Sequence, residues 1–304
     1  MIRYFSHQAL CIRNGKNGQA IVLFLVVVCT VMTMLFVSIV ARNVAASRVA
    51  CANAIDAIAL NAATWEARCL NIIAALNDGI SKCMDIILWT CIVWAALAIA
   101  AAFGVGAAAF AEYTRYAREL ISDCWKTAHM LASWSEEIRD LAPYLVLGET
   151  IALSSKLGVV GVLQPFNPSG PHDGENTLEL HLEYGPPINL TDAFEPIFSA
   201  LERLNRVRKP DGTLKAIKKT LNNAINLILG GNNKPIHMLI PEKDFSKRQF
   251  VYFAGSRKIQ QLPIPFLGNT ETERIFDQAQ AEPYGGGSES MTWKSRLTIK
   301  SEEK

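Results

Sequence analysis

The chain has 304 residues, a formal net charge of +2 and 50% hydrophobic residues. That length has room for one membrane region and one soluble domain, and the nearly neutral charge gives no reason to expect a nucleic-acid partner. The seven cysteines (Cys11, Cys29, Cys51, Cys69, Cys83, Cys91 and Cys124) all precede residue 125, and no two stand in CxxC spacing. A disulfide-stapled soluble half and a close-spaced cysteine metal or redox centre are therefore not expected.

Residues 1–18 form a basic segment: Arg3, Arg13 and Lys16 with no acid, the first acid of the chain being Asp56. Basic flanks are retained on the cytoplasmic side, so the N-terminus is expected inside. The following run, 20–41, is free of charge for 22 residues. A helix of that length covers a hydrocarbon core of roughly 30 Å at about 1.5 Å per residue. A signal-peptide core is only about 7–15 residues long, so "VAAS" at 44–47 is not taken as a cleavage site, and an anchor is expected.

Between Gly18 and Gly79 there is neither glycine nor proline, so nothing in the sequence breaks a helix there. An amphipathic helix is expected over 44–82. Its apolar positions Cys51, Ile55, Ile58, Ala62, Trp65, Cys69, Ile72, Leu76 and Ile80 recur by threes and fours, a period near 3.5. Arg48, Asn53, Asp56, Asn61, Glu66, Asn71 and Asp78 largely avoid that seam. The seam has two readings. It packs on the rest of its own chain, or it docks on partner helices through Ile55, Ile58, Trp65, Ile72 and Leu76.

A second charge-free run spans 86–111, with Trp89 and Trp94 toward its start and an Ala- and Gly-rich second half. A second transmembrane helix is expected, with a buried or re-entrant hairpin as the alternative. Two crossings would return the soluble half to the cytoplasm; a single crossing would leave it on the far side. All 13 prolines and 14 of the 19 glycines lie from Pro143 onward. This composition shift divides the chain into a helical membrane region, 19–142, and a soluble domain, 143–304.

Residues 112 to about 160 read as helical, interrupted at Pro143. "QPFNPSGPHDGEN" (164–176) reads as a loop, and "TLELHLEYG" alternates as a strand. Helices are expected over 191–207 and 213–229. Further strands are expected in "KPIHMLI", "RQFVYFAG", "RIFDQAQAEPY" and "MTWKSRLTIK", with "YGGGSES" joining the last two. The fold class is α+β: a long N-terminal transmembrane and amphipathic helix, a second hydrophobic helix, then a mixed α+β domain.

Two constellations could carry chemistry. In a strand, Glu179, His181 and Glu183 share one face opposite Leu178, Leu180 and Leu182, with His172 and Asp173 nearby. Carboxylate and imidazole so placed suit a divalent metal, although a half-buried strand must in any case show polar groups to water. The basic cluster Arg203, Arg206, Arg208, Lys209, Lys215, Lys218 and Lys219 suits an anionic lipid headgroup, with no interleaved aromatic for base stacking. No phosphate-binding loop, GxSxG or HExxH motif occurs. No catalytic residue and no cofactor are expected. The alternative from another class is a membrane-tethered metal-dependent enzyme or sensor using the cluster at 172–183.

The segment Gly18-Gln19-Ala20-Ile21-Val22-Leu23-Phe24, before its anchor, resembles the opening of the TadE/TadG-like proteins of Flp/Tad pilus assembly. "ANAIDAIALNAATWEARCLNIIAALND" (52–78) is similar to that family's Ala-rich helix, and "FDQAQAEPYGGGSESMTWKSRL" (276–297) to the ending of its longer members. The resemblance covers roughly a third of the chain. It implies a bacterial inner-membrane protein that serves a thin adhesive pilus, without enzymatic activity. The partners it implies are the lipid bilayer and other pilus-assembly membrane proteins or pilin-like helices, a second copy of the chain included. Gly18 is the candidate cleavage point it implies. Subunits cut after such a glycine carry a Glu five residues on, where this chain has Leu23. A retained accessory protein is therefore expected rather than a filament subunit. The family's metal-dependent adhesion motif DxSxS is absent.

Overall fold

The computed structural model describes residues 16–102, 104–164, 178–190, 199, 234–243, 245, 249–258 and 274–298. It is α+β. One helix, α1 (Lys16–Ala102), runs unbroken for 87 residues, about 130 Å at the usual rise. Every residue from Ala20 to Ile39 is exposed. This stretch is long and apolar enough to cross a membrane, and nothing else among the described residues packs on it to hide its side chains. Beyond it, α1 becomes the spine on which the rest of the described chain is built.

The spine folds back at Gly104 and Gly106, whose φ of 82° and 77° lie in the left-handed region that favours glycine. The second helix, α2 (Ala107–Leu157), then returns along α1. The run 86–111 is thus not a helix of its own. It is the end of α1, the turn and the first residues of α2. Roughly 68 Å of unbroken helix separates Ala41 from Ile86 at about 1.5 Å per residue. Both runs therefore cannot lie in one hydrocarbon layer of about 30 Å, which corrects the expectation of two crossings.

One side of the second run packs, while Trp89, Ile92, Val93 and Val105 on it stay exposed. Ile87, Cys91, Trp94 and Ala95 are buried with Ile121, Trp125 and Ala128 of α2. The Trp94 indole N–H donates to Thr114 Oγ1 at 2.9 Å and its ring stacks on Phe110. Gly79 supplies the close approach, since a Cβ there would stand 3.0 Å from Leu131 Cδ1. Leu190 and Ile236, from segments outside the two long helices, enter the same cluster. Irregular backbone of that kind belongs outside lipid.

α2 passes through Pro143 without ending. The boundary expected at 142/143 therefore falls inside a helix. Ala142 and Val146, both fully buried, hold the two sides of the proline against α1 and its sheet. That packing carries the one helical hydrogen bond that proline removes. The helix stops instead at Gly158 (φ 65°, ψ 31°), whose N–H reaches Ser154 O and Ser155 O.

Six strands follow: β1 (Val159–Gln164), β2 (Leu182–Tyr184), β3 (Leu239–Pro241), β4 (Val251–Lys258), β5 (Arg274–Tyr284) and β6 (Lys294–Thr298). β1, β4, β5 and β6 form an antiparallel sheet in that order; β2 and β3 pair separately. Alternation gives the larger sheet one apolar face. Val159, Leu163, Val251, Phe253, Ala279 and Ala281 point from it onto Cys51, Ile55, Ile58 and Ala62 of α1. The smaller sheet covers the next stretch of α1, with Leu180, Leu239 and Phe245 against Cys69, Leu70 and Ile73. The helices expected over 191–207 and 213–229 lie outside the described residues, apart from residue 199.

Candidate functional site

The feature that organises the protein is the junction of α1 with the two sheets. Ile55 and Ile58 are fully buried in it. Both are occupied by the chain's own strands, so neither is available to a partner helix, and the docking reading of this part of the seam is corrected. Trp65 is half-buried with Arg68 4.7 Å over its ring, Leu76 is half-buried and Ile72 is 49% exposed. The divergence has a geometric cause. A 3.5-residue pattern drifts about 20° per heptad on a 3.6-residue helix. Three heptads after Cys51 the buried centre has moved from Ile72 to Ile73 and Asn77.

The drift brings polar residues into the junction, where they serve the sheet backbone. Asn71 closes a reciprocal pair with Trp293: its Nδ2 donates to the Trp293 carbonyl at 3.1 Å, and the Trp293 N–H donates to its Oδ1 at 3.0 Å. Asn77 Nδ2 donates to Leu239 O and Ser288 O, both at 2.8 Å, so one amide ties the small sheet and the β5–β6 connection to α1. The Thr64 hydroxyl, which donates to Leu60 O, meets Ser295 Oγ at 2.8 Å. The two asparagines thereby pair backbone groups of Trp293, Leu239 and Ser288.

Glu66 serves no backbone group. It is fully buried, and neither carboxyl oxygen has a hydrogen-bond partner. The Gln249 amide lies beside it without forming a well-shaped bond, and Gln249 Oε1 instead accepts from the His181 N–H at 2.9 Å. Burial pushes the Glu66 carboxyl up to about 8. The neighbouring Cys69 thiol is pushed to about 11, by burial first and then by Glu66. Sequence pattern placed Glu66, Asn71 and Asn77 on no site. Their one legible signal was position, one residue from the drifting apolar stripe.

α2 carries a second feature that sequence pattern did not single out. Its inner face packs through Ile121, Trp125, Ala128, Ala142 and Val146. Its outer face exposes Met130, Trp134, Leu141, Tyr144, Leu145 and Ile151. Met130, Trp134, Leu141, Tyr144 and Ile151, with Glu137 and Gly148, follow a strict four-three repeat. A stripe with that repeat fits the side of a partner helix.

The metal alternative gains no ligand set among the described residues. Among the described residues no three His, Cys, Asp or Glu side chains gather as a ligand set. Glu179, His181 and Glu183 do not come together as one, and only residues 182–184 of the expected strand are in β2. Leu178 and Leu180 do face the core, as alternation required. His172 and Asp173 lie outside the described residues, and so does the basic cluster from Arg203 to Lys219. Gly18 lies in the first turn of α1.

No family model, curated protein or solved structure matches this chain. The geometry therefore carries the functional argument: an exposed apolar helix, its unbroken continuation as a spine, and an outward stripe on α2.

Proposed function

We propose that this chain is a membrane-anchored accessory protein of a Tad-like pilus or a related secretion assembly, acting mechanically. The observation that carries the reading is the continuity of α1 from an exposed apolar stretch into the spine of the α+β half. Displacement of the anchor is transmitted directly to the domain, with no linker to absorb it. The resemblance of residues 18–24, 52–78 and 276–297 supports the pilus context. With a single crossing and a cytoplasmic N-terminus, the domain stands on the outer side of the inner membrane, where pilus subunits assemble. Among the described residues, the anchor itself and the outer stripe of α2 are open to partner helices.

A cysteine at the exposed Glu289, with Cys11 and Cys29 replaced by serine, is expected to react with a membrane-impermeant maleimide in spheroplasts without lysis. Labelling only after lysis would place the domain in the cytoplasm and overturn the topology. Leu141→Asp combined with Tyr144→Asp is expected to leave protein level and membrane fractionation unchanged while abolishing surface filaments. Normal filaments in that variant would remove the stripe from the mechanism.

A further inference from the structure

Five segments converge at the end of the domain nearest the anchor. Cys51 Sγ of α1 meets Ile275 O, at the start of β5, at 3.5 Å. Val159, opening β1, stands in register with Arg257, and Arg274 with Lys258. Leu157, ending α2, packs in the cluster that holds Cys51. Along α1, Cys51 lies about 15 Å beyond Ala41, the last residue of the apolar stretch. The headgroup layer occupies roughly the first 5–8 Å of that distance.

This end is basic. Arg42, Arg48, Lys156, Lys258 and Arg274 are exposed and Arg257 is half-exposed. The acids among them are Asp56 and Asp277, both half-buried. These two repel each other, and burial together with Asp277 raises the Asp56 carboxyl. On the outer face of the sheet Val160 and Phe276 flank Ser256 in register, and they are 67% and 76% exposed. A cationic rim with an aromatic beside it, held within about a Debye length of a bilayer surface, is the arrangement that anionic headgroups favour.

We propose that this end of the domain seats on anionic phospholipid headgroups of the membrane that holds its anchor, through Lys156, Arg257, Lys258 and Arg274, with Phe276 and Val160 against the interface. The proposal rests on the anchor reading. Charge complementarity selects the occupant, and continuity with the anchor fixes its distance. Arg42, one residue past Ala41, lies at headgroup depth, and Arg48, seven residues past it, stands just beyond that layer and extends the same basic surface along α1. Seating would fix the tilt of the α1–α2 rod, so the outer stripe of α2 is presented at a set angle.

The test uses full-length protein in vesicles, with Cys11 and Cys29 replaced by serine and an environment-sensitive fluorophore on Gln278→Cys, on the same sheet face. Adding phosphatidylglycerol to phosphatidylcholine vesicles is expected to shift the probe to an apolar spectrum. High salt should reverse the shift. Lys156→Glu, Lys258→Glu and Arg274→Glu together should weaken seating on the order of a hundredfold. The salt titration is made on the unmutated rim, so it stands even if the charge-reversed variant folds poorly. Identical spectra with and without phosphatidylglycerol, in protein that resists carbonate extraction, would overturn the seat and leave the anchor standing. Protein released by carbonate would overturn both.

Discussion

Ile58→Asp is expected to lower the stability of the α+β half by at least about 4 kcal/mol, seen as loss of its cooperative thermal transition by circular dichroism in detergent. Ile58 is fully buried between α1 and the apolar face of the larger sheet. The substitution removes a branched side chain from a close-packed interior and leaves a carboxylate there. The first effect alone costs roughly 2–5 kcal/mol for a buried aliphatic cut to alanine, and an unpaired buried charge adds several more unless it takes up a proton. Surface changes away from such features usually stay within about 0.5 kcal/mol, and Tyr144→Asp on the outer stripe of α2 should behave that way. The pair separates the two roles a helix seam can have. If Ile58→Asp folded normally and merely lost partners, the seam would face outward and the packing described for α1 would be wrong.

Much of this architecture was legible. Five dozen residues without glycine or proline required a helix through the anchor, and the alternation of "RIFDQAQAEPY" marked β5 with both its ends. Propensity also found β4 and β6 within a few residues. β1 was missed, although Gly158 followed by "VVGVL" carries the signal of a helix stop and a β-branched run. The helical pattern before it was carried one turn too far.

The other misreadings share one physical cause: a sequence shows that a residue is apolar or polar, not what it faces. Within residues 86–111, Ile87, Cys91, Trp94 and Ala95 are apolar where two helices approach closely. That composition is the same one a lipid-facing helix needs. Pro143 is a breaker in an isolated helix but is tolerated where Ala142 and Val146 are clamped by tertiary packing. Asn71 and Asn77 are polar yet turned inward, because the edges of two sheets present them with carbonyl and N–H groups to bind. Periodicity alone cannot separate a polar residue that meets water from one that meets backbone.

Glu66 is where such a residue found no partner, and its replacement should have the largest stabilising effect in the protein. The carboxyl titrates near 8 in the folded chain and near 4.3 when unfolded. Between those values the folded state holds a proton that the unfolded state has released, so stability is fully present below about pH 4.3 and declines as pH rises toward 8. The loss is on the order of 5 kcal/mol across that window, at about 1.4 kcal/mol per unit. Glu66→Leu, which fills the same space without an ionisable group, should therefore raise the melting temperature at pH 7.5 by several degrees and flatten its dependence on pH. Glu66→Gln should flatten it too but stabilise less, because its amide still lacks a full set of partners. Thermal melts of the three proteins from pH 5 to pH 9 decide the matter. A wild-type transition that holds steady or rises across that range would mean that Glu66 is ionised and paired, and that the junction holds a cation opposite it. A helix with a buried acid at its centre stays closed only while the surrounding apolar contacts, from Cys51 to Ile73, outweigh it.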